Sequence, residues 1–418
     1  MADTRLRPPE AIFPIERVRE QFPALKRTYR GRPAAYLDGP GGSQACSGTI
    51  DAVREYMERG GANLHGQFPT SHETEALLDE TRSAVADLLG GKKQEIAFGP
   101  NMTTLTFAIS RALSRDWKPG DEVVVTEMDH NANVDPWLAA ARDKGAVVHW
   151  IPVDTATLTL DLSALDSLLN ERTKVVAVGA ASNAIGAVND VAAISAAARA
   201  KSDAVVYVDG VHAVPHFLVD REDLGIDILT CSAYKFFGPH MGMACIREEL
   251  FERLVPYKVA PAPDTFPDCL ETGTQNHEGL GGVLAAVEFI ANLGEGETRR
   301  QRIESGYGAI EAWENALAES IRERIRELPR VTLFDPGTKR RTPTLGLDVE
   351  GASPLEVCKW MVDEHSIFVA DGHFYAVRLG DLTGVNEKGG WVRAGLAPYT
   401  TEEETDRFVS ALEQFVGV

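Results

Sequence analysis

The sequence predicts an α/β protein, with a mostly parallel sheet held between helices and a smaller α+β unit after it. Three observations predict this. Between residues 96 and 247 seven short apolar runs alternate with alanine-rich helical stretches, and strands that are apolar throughout belong in a sheet covered on both faces. A charge-rich helical stretch then covers residues 297–328. Beyond Pro329 the pattern changes to short strands interleaved with two helices, which suits a separate α+β layer.

Taken in order, the chain begins with a segment, 1–34, that holds one helical piece at 15–22. We expect this segment to pack on the smaller domain. Ala35-Tyr36-Leu37-Asp38 then runs into Gly39-Pro40-Gly41-Gly42, a turn able to cradle a ligand. It is not a phosphate-binding P-loop, because no G-x-x-x-x-G-K-[ST] occurs there or at Gly90-Gly91-Lys92. Helical periodicity covers 47–60 and 73–90, and a loop lies between them at 63–68. The predicted strands are 96–99, 122–126, 147–151, 174–179, 204–209, 228–232 and 243–247. The helices between them include 103–113, 134–144, 162–170 and 191–201.

A proline-rich loop at 256–267 precedes Glu271-Thr272-Gly273-Thr274-Gln275-Asn276 and a helix over 278–293. The long helix at 297–328 reads as a connector. After it come predicted strands at 331–334, 345–349, 367–370, 374–379 and 391–395, with helices at 354–365 and 402–415. The expected division is therefore 1–34, a large domain at 35–295, and a small domain at 296–418 entered by the connector helix.

Composition removes several function classes. With 418 residues, two domains are the natural expectation. Lys plus Arg number 42 against 62 Asp plus Glu, a formal charge of −20. That balance argues against nucleic acid or an anionic membrane as partner. Five scattered cysteines with no C-x-x-C pair fit reduced thiols better than a disulfide framework or a zinc site. The first twenty residues carry no apolar signal core, and no run approaches the roughly 18 apolar residues of a membrane span. A cytoplasmic protein with no metal is expected.

The stretch richest in chemistry is Ser232-Ala233-Tyr234-Lys235-Phe236-Phe237-Gly238-Pro239. A lysine walled in by aromatics has reason to lose its proton, and a neutral amine condenses with aldehydes. The alternative is a lysine whose stem packs on Phe236 while its head stays in water. Other chemistry-bearing residues fall at strand carboxyl ends, where such sheets bind ligands. Asp209 closes the run Ala204-Val205-Val206-Tyr207-Val208, and can hold a protonated ring nitrogen or simply end the strand. His130 follows the strand at 122–126, and can stack on a flat ring, relay a proton or cap a helix. Asn183 follows the strand at 174–179. Asn101-Met102-Thr103-Thr104 opens a helix, and free N–H groups there make an anion site, to which Ser232, His212 and Thr274 can add donors. Arg393 ends a predicted strand and suits a carboxylate.

Three of these stretches carry a family resemblance. Tyr207-Val208-Asp209-Gly210-Val211-His212-Ala213, the octapeptide at Lys235, and Glu127-Met128-Asp129-His130-Asn131-Ala132-Asn133 together resemble the class V aminotransferase family of pyridoxal-phosphate enzymes. Within it the chain is most similar to the cysteine desulfurase-like branch. Glu271 to Asn276 and Val392-Arg393-Ala394-Gly395 extend the likeness, which spans roughly residues 35 to 415. The resemblance implies a fold-type-I homodimer with shared active sites, acting on a small amino acid through an external aldimine and a Cα carbanion. It implies pyridoxal 5'-phosphate as cofactor, with Lys235 as Schiff-base lysine, Asp209 as pyridinium partner and His130 stacked on the ring. Asn183 is implied near the phenolic oxygen, and Met102, Thr103 and Ser232 around the phosphate. His212 stands where many relatives have Gln. Thr274 matches a phosphate contact from the second subunit, and Arg393 the substrate-carboxylate clamp, with Asn183 beside it.

One departure bears on the reaction. Desulfurases carry a sulfur-accepting cysteine in a loop resembling Gly-His-His-Cys-Ala, where this chain reads Gly372-His373-Phe374-Tyr375-Ala376. A phenol cannot replace a thiolate as sulfur acceptor. The expected reaction is β-elimination of a C–S bond without a persulfide cysteine, with Tyr375 and His373 as acid/base candidates or loop-packing groups. Aminotransferase, epimerase and decarboxylase outcomes are alternatives, and a non-catalytic regulatory module is a remoter one. Side-chain selectivity is expected in loops such as 63–72, where His65 is a substrate-binding candidate, and 256–267.

Overall fold

All seven strands expected between residues 96 and 247 form, each within a residue of its predicted ends, and they join one sheet. The computed structural model describes residues 13–418. The strands are β1 (Ile96–Gly99), β2 (Glu122–Thr126), β3 (Val147–Ile151), β4 (Thr173–Gly179), β5 (Val205–Asp209), β6 (Ile228–Ser232) and β7 (Gly242–Ile246). Their spatial order is β1-β7-β6-β5-β4-β2-β3. β3, β2, β4, β5 and β6 run parallel, and β7 lies antiparallel between β6 and β1.

Alternation sorts the strand side chains onto two faces. Val123, Val125, Val175, Ala177, Tyr207 and Ile228 join one buried cluster with Leu105, Ile109 and Trp137. Val124, Val176, Val178, Val206, Val208 and Leu229 join the other, with Ile194, Leu280 and Val287. Both faces are dry, which is why these runs are apolar without a polar partner residue. Burying each such Val, Leu or Ile contributes about 1.5–3 kcal/mol.

The helices on the sheet follow from the same burial. α1 (Ile15–Glu20), α2 (Ser47–Arg59), α3 (Pro69–Leu89), α4 (Met102–Leu113), α5 (Asp135–Lys144), α6 (Val191–Lys201) and α7 (His277–Ala291) precede the connector, α8 (Arg299–Arg326). α4 and α5 cover one face, and α3, α6 and α7 the other. α8 starts on a capping box in which Thr298 and Gln301 exchange hydrogen bonds, an arrangement that contributes about 1 kcal/mol. It buries Ile303, Tyr307, Ile310, Trp313, Leu317 and Ile321 along one stripe.

The C-terminal unit is an antiparallel sheet of β8 (Val331–Phe334), β9 (Thr344–Val349), β10 (Ala370–Gly372) and β11 (Trp391–Gly395), in the order β8-β9-β11-β10. α9 (Pro354–His365), α10 (Val377–Leu382) and α11 (Glu402–Val416) accompany it. Two expectations fail here. The strand expected at 374–379 is a turn followed by α10, because Phe374 and Tyr375 both take left-handed φ values of 50° and 59°, which no strand accommodates. The strand expected at 367–370 divides, since Ile367–Phe368 pairs with Ala35–Tyr36 while the following residues form β10. Elsewhere, the helix expected at 162–170 shortens to Leu165–Leu168 after a 3₁₀ turn.

The described part of the N-terminal segment touches both the large-sheet unit and the C-terminal unit. Phe13 stacks on Trp313 of α8, and Arg19 bonds the Tyr399 carbonyl and Glu404 at the start of α11. Phe22 packs on Phe237, Phe289 and Tyr399. The next stretch leans on the C-terminal unit, through the Ala35–Tyr36 pairing and a bridge from Asp38 to Gly395. Residue 35 therefore opens a segment that is shared between the two layers. No helix among the described residues is long and apolar enough to cross a membrane.

Candidate active site

The parallel strands β2, β4, β5 and β6 end at one rim, and the residues at and just beyond those ends line a single cavity of about 760 Å³. His130 comes from the turn after β2, Asn183 from the turn after β4, Asp209 and His212 from the end of β5, and Ser232 and Lys235 from the end of β6. The N-terminus of α4 adds Met102 and Thr103, and the C-terminal unit closes the cavity with Phe374, Tyr375 and Arg393. The rim is where an open parallel sheet leaves a crevice for ligands.

Lys235 lies in a 3₁₀ turn directly after β6. Its Nζ donates to the carbonyls of Pro40 and Gly41 and sits 4.8 Å from the centre of the Tyr234 ring. Enclosure, aided by the nearby Arg393 guanidinium, pulls its pKa down to about 7, against the opposing pull of Asp38 and Asp209. Near neutral pH a large share of this amine is therefore unprotonated, unlike a surface lysine. The glycine-rich turn lines the cavity through Pro40 and Gly41, and their carbonyls hold the lysine.

Burial pushes the Asp209 carboxyl up to about 6, partly offset by the Val211 N–H and by Lys235. Its Oδ1 accepts that Val211 N–H at 2.9 Å. A protonated ring nitrogen brought to Asp209 would favour the ionised form, and the pair would stabilise both partners. His130 is driven the other way, to about 4, by burial and then by Lys235 and Arg393. Its Nδ1 accepts the Ala132 N–H at 2.9 Å, so the proton of this neutral ring sits on Nε2.

At the α4 N-terminus, Asn101 caps the helix by accepting from the Thr104 N–H at 2.8 Å. The Met102 N–H donates to Ser232 Oγ at 3.0 Å. Thr103 stands exposed on the cavity wall between them. Gly242 of β7 lies so close to the Asn101 backbone that any Cβ there would overlap it; the tight approach seats the helix end on the rim. Such an end, with the Thr103 N–H unspent among the described residues and the positive pole of the helix dipole, suits a phosphate.

Arg393 on β11 is 3% exposed. Nη2 donates to Asp38 Oδ1 at 2.9 Å and Nη1 to the Asn183 carbonyl at 3.1 Å, and the Phe374 ring covers the guanidinium at 3.7 Å. Its Nε and the Asn183 Oδ1 are buried without partners among the described residues, and such atoms beside a cavity call for a polar ligand. Asn183 spends one amide N–H on the Phe374 carbonyl at 2.9 Å. Tyr375 stacks over His130, with ring centres 5.2 Å apart, while its carbonyl accepts the Asn131 N–H at 2.7 Å.

Ten of the sequence-predicted site residues thus meet at one cavity, and three do not. His373 is exposed beyond the rim and accepts the Tyr375 N–H at 3.1 Å, so within this chain it supports the turn. Thr274 borders a neighbouring cavity of about 440 Å³ that shares Thr104 and His240 with the first. His65 lies on the surface against Glu75. Sequence reasoning missed Asp38, Asp129, Tyr234 and His240. Asp129 accepts from Asn133 and from the Gly179 N–H, each at 2.7 Å, and burial lifts its carboxyl to about 7. Its signal was an acidic residue directly before His130, in the turn that follows β2. Asp38 gave no signal, because its Arg393 partner lies 355 residues away. All five cysteines are buried, none lines the cavity, and burial pushes the Cys358 thiol up to about 12.

The donor set fits pyridoxal phosphate: a depressed lysine, a carboxyl at a strand end, a neutral imidazole and a helix N-terminus face one space. The family model for aminotransferase class V matches residues 35–408. The chain is 30% identical to cysteine desulfurases of Pectobacterium carotovorum subsp. carotovorum and Serratia proteamaculans, over 96% of its own length and 98% of theirs. Among solved structures it is similar to an apo cysteine desulfurase of Thermococcus onnurineus NA1, with a TM-score of 0.86, 28% identity, and 100% and 99% of the two chains covered. It is also similar to the cysteine desulfurase CsdA of Escherichia coli, with a TM-score of 0.83, 26% identity, and 96% and 98% covered.

Proposed function

We propose that this chain, which belongs to the class V aminotransferase family, is a pyridoxal 5'-phosphate-dependent lyase that breaks a C–S bond in a small amino acid without using a protein thiol. The observation that carries this reading is one cavity where Lys235, Asp209, His130 and Arg393 meet and no cysteine does. When bound, the cofactor supplies an electron sink for the pair left at the substrate α-carbon.

The roles of the chain's own residues follow from their chemistry. Lys235 Nζ would hold the cofactor's aldehyde carbon and Asp209 its ring nitrogen, with His130 against one ring face. Asn183 would face the ring oxygen and His212 would add a further donor to the cofactor, while Met102, Thr103 and Ser232 hold the phosphate. An amine poised near pH 7 is also a base suited to taking a proton from the α-carbon. The free Nε of Arg393 would orient the substrate carboxylate, and Tyr375 would donate a proton to the departing sulfur. With a phenol at the loop position, sulfide leaves directly, and cysteine plus water gives pyruvate, ammonia and sulfide.

The same reading takes the protein as a cytoplasmic homodimer with shared sites. Thr274 would then reach the partner's phosphate, and the loop carrying His65 would border the partner's substrate. It divides the chain at 35 and 296 into an N-terminal segment, a large domain and a small one. The test is the purified protein on a panel of amino acids, scored for sulfide, pyruvate, ammonia, carbon dioxide and α-carbon inversion, with mass spectrometry for persulfides. Sulfide and pyruvate in equal amounts with no protein persulfide is the expected result. A keto acid without sulfide, carbon dioxide, or inversion would replace the lyase by a transaminase, decarboxylase or epimerase. A protein that stays colourless with added cofactor would leave a regulatory module.

A further inference from the structure

His212 sits at the cavity wall, but the residues that hold it come from elsewhere. Its Nε2 lies 3.0 Å from Thr342 Oγ1 and 3.0 Å from Thr344 Oγ1, at and before the start of β9. Behind it stands the His216 ring, edge-to-face at 5.4 Å, and His216 Nδ1 is 2.9 Å from Glu314 Oε2 on α8. His216 and Glu314 are both buried, as are the two threonines, at 0% and 1% exposure.

Satisfying the threonine hydroxyls decides the protonation of His212. A buried hydroxyl proton needs an acceptor. Among the described residues, the one side-chain partner of each threonine hydroxyl is His212 Nε2. If Nε2 carried a proton, both hydroxyl protons would be stranded. If Nε2 accepts, the two hydroxyls share its one lone pair and the ring's own proton must sit on Nδ1. Nδ1 has no partner among the described residues, and His212 lines the cavity. The titratable and charged groups facing this ring are His216, which pairs with Glu314, and Lys235 and Arg393. Together with burial they keep His212 neutral, so the tautomer is the whole question.

We propose that Thr342 and Thr344 are positioning residues that lock His212 in its Nδ1–H tautomer and so turn a single N–H donor into the cavity, toward an acceptor oxygen of the bound cofactor. An amide side chain at this position would present its N–H by amide orientation. Here the C-terminal unit does the presenting, through two hydroxyls that never touch the ligand. The role toward the cofactor rests on the function proposed above; the tautomer does not.

The experiment is therefore done in two stages. The full chain, labelled with ¹⁵N-histidine and free of cofactor, is examined by long-range ¹H–¹⁵N correlation, and the His212 signal is assigned by its loss in His212→Gln. An Nδ1–H pattern is expected, and an Nε2–H pattern overturns the proposal. In Thr342→Val/Thr344→Val the pattern should become mixed or reversed, whereas Thr342→Ser/Thr344→Ser, which keeps the hydroxyls, should preserve it. An unchanged Nδ1–H signal in the valine variant removes the threonines from the role. With pyridoxal phosphate added, the valine variant should show about five- to tenfold weaker cofactor binding and a shifted visible band, the size expected for losing one oriented hydrogen bond. Cofactor affinity equal to wild type would overturn the presenting role. If no cofactor binds wild type while Nδ1–H is seen, the function reading falls and the tautomer lock stands.

Discussion

The two walls of the cavity are built in different ways. The sheet rim is made by regular structure, with strands whose residues are all buried in β2, β5 and β6 and a capped helix. The opposite wall is a turn of the C-terminal unit in which two consecutive non-glycine residues, Phe374 and Tyr375, have left-handed φ, at a cost of about 1–2 kcal/mol each. That turn is held down by the residues it covers. His130 stacks on Tyr375, Asn183 donates to the Phe374 carbonyl, and Arg393 lies under the Phe374 ring. The rim places its side chains on regular structure, while the wall facing them is a turn held in a strained backbone conformation.

Breaking the rim should have the largest effects. Lys235→Ala is expected to abolish the visible absorption of the lysine-bound cofactor and lower turnover by about 10³-fold or more, read by spectrum and product assay. Next, Arg393→Lys keeps the charge but loses the fork, so KM should rise by about 10- to 100-fold with a smaller change in kcat. Steady-state kinetics on the best substrate of the panel would show it, and an unchanged KM would take the carboxylate away from Arg393.

A pH series sharpens the same comparison from the side of Lys235. Because its pKa is pulled down to about 7, the neutral amine fraction falls as pH drops. Cofactor attachment should slow about tenfold between pH 8 and pH 6. A rate still climbing steeply between pH 9 and pH 10 would mean an ordinary lysine. The lowered lysine pKa also has a stability consequence in the cofactor-free chain. The unfolded lysine binds more protons between about pH 7 and pH 10.5, so stability contributed here rises with pH across that window.

The strained wall should respond differently. Tyr375→Asn places a residue tolerant of left-handed φ in the turn, so thermal stability should hold or improve by a few tenths of a kcal/mol while turnover falls several-fold with the ring lost. If stability and turnover fell together, the turn would be scaffold. The smallest effect is expected from thiol alkylation. With all five cysteines buried and none at the cavity, treatment of the native protein should leave activity unchanged.

The difference between the walls also explains what the sequence disclosed. Burial on both faces leaves an unmistakable apolar run, so every strand of the large sheet was legible, and so was the place of Lys235, Asp209 and His130 at strand ends. The turn at 372–376 was not, because its conformation is imposed by contacts with residues far away in the chain, His130 and Asn183 among them. Phe374 and Tyr375 carry β propensity, and local pattern alone makes them a strand. Asp38 and the threonines behind His212 escaped notice for the same reason: their partners are near only after folding.

The short run that begins at Ala35 has a mechanical consequence. It pairs with Ile367–Phe368, bridges to Gly395 beside Arg393, and offers the Pro40 and Gly41 carbonyls to Lys235. Within about six residues one strand of chain thus grips the amine and, through Asp38, the guanidinium. A group that took up the guanidinium would compete with Asp38 for it, and Asp38 lies in the same short run as the carbonyls that hold the amine.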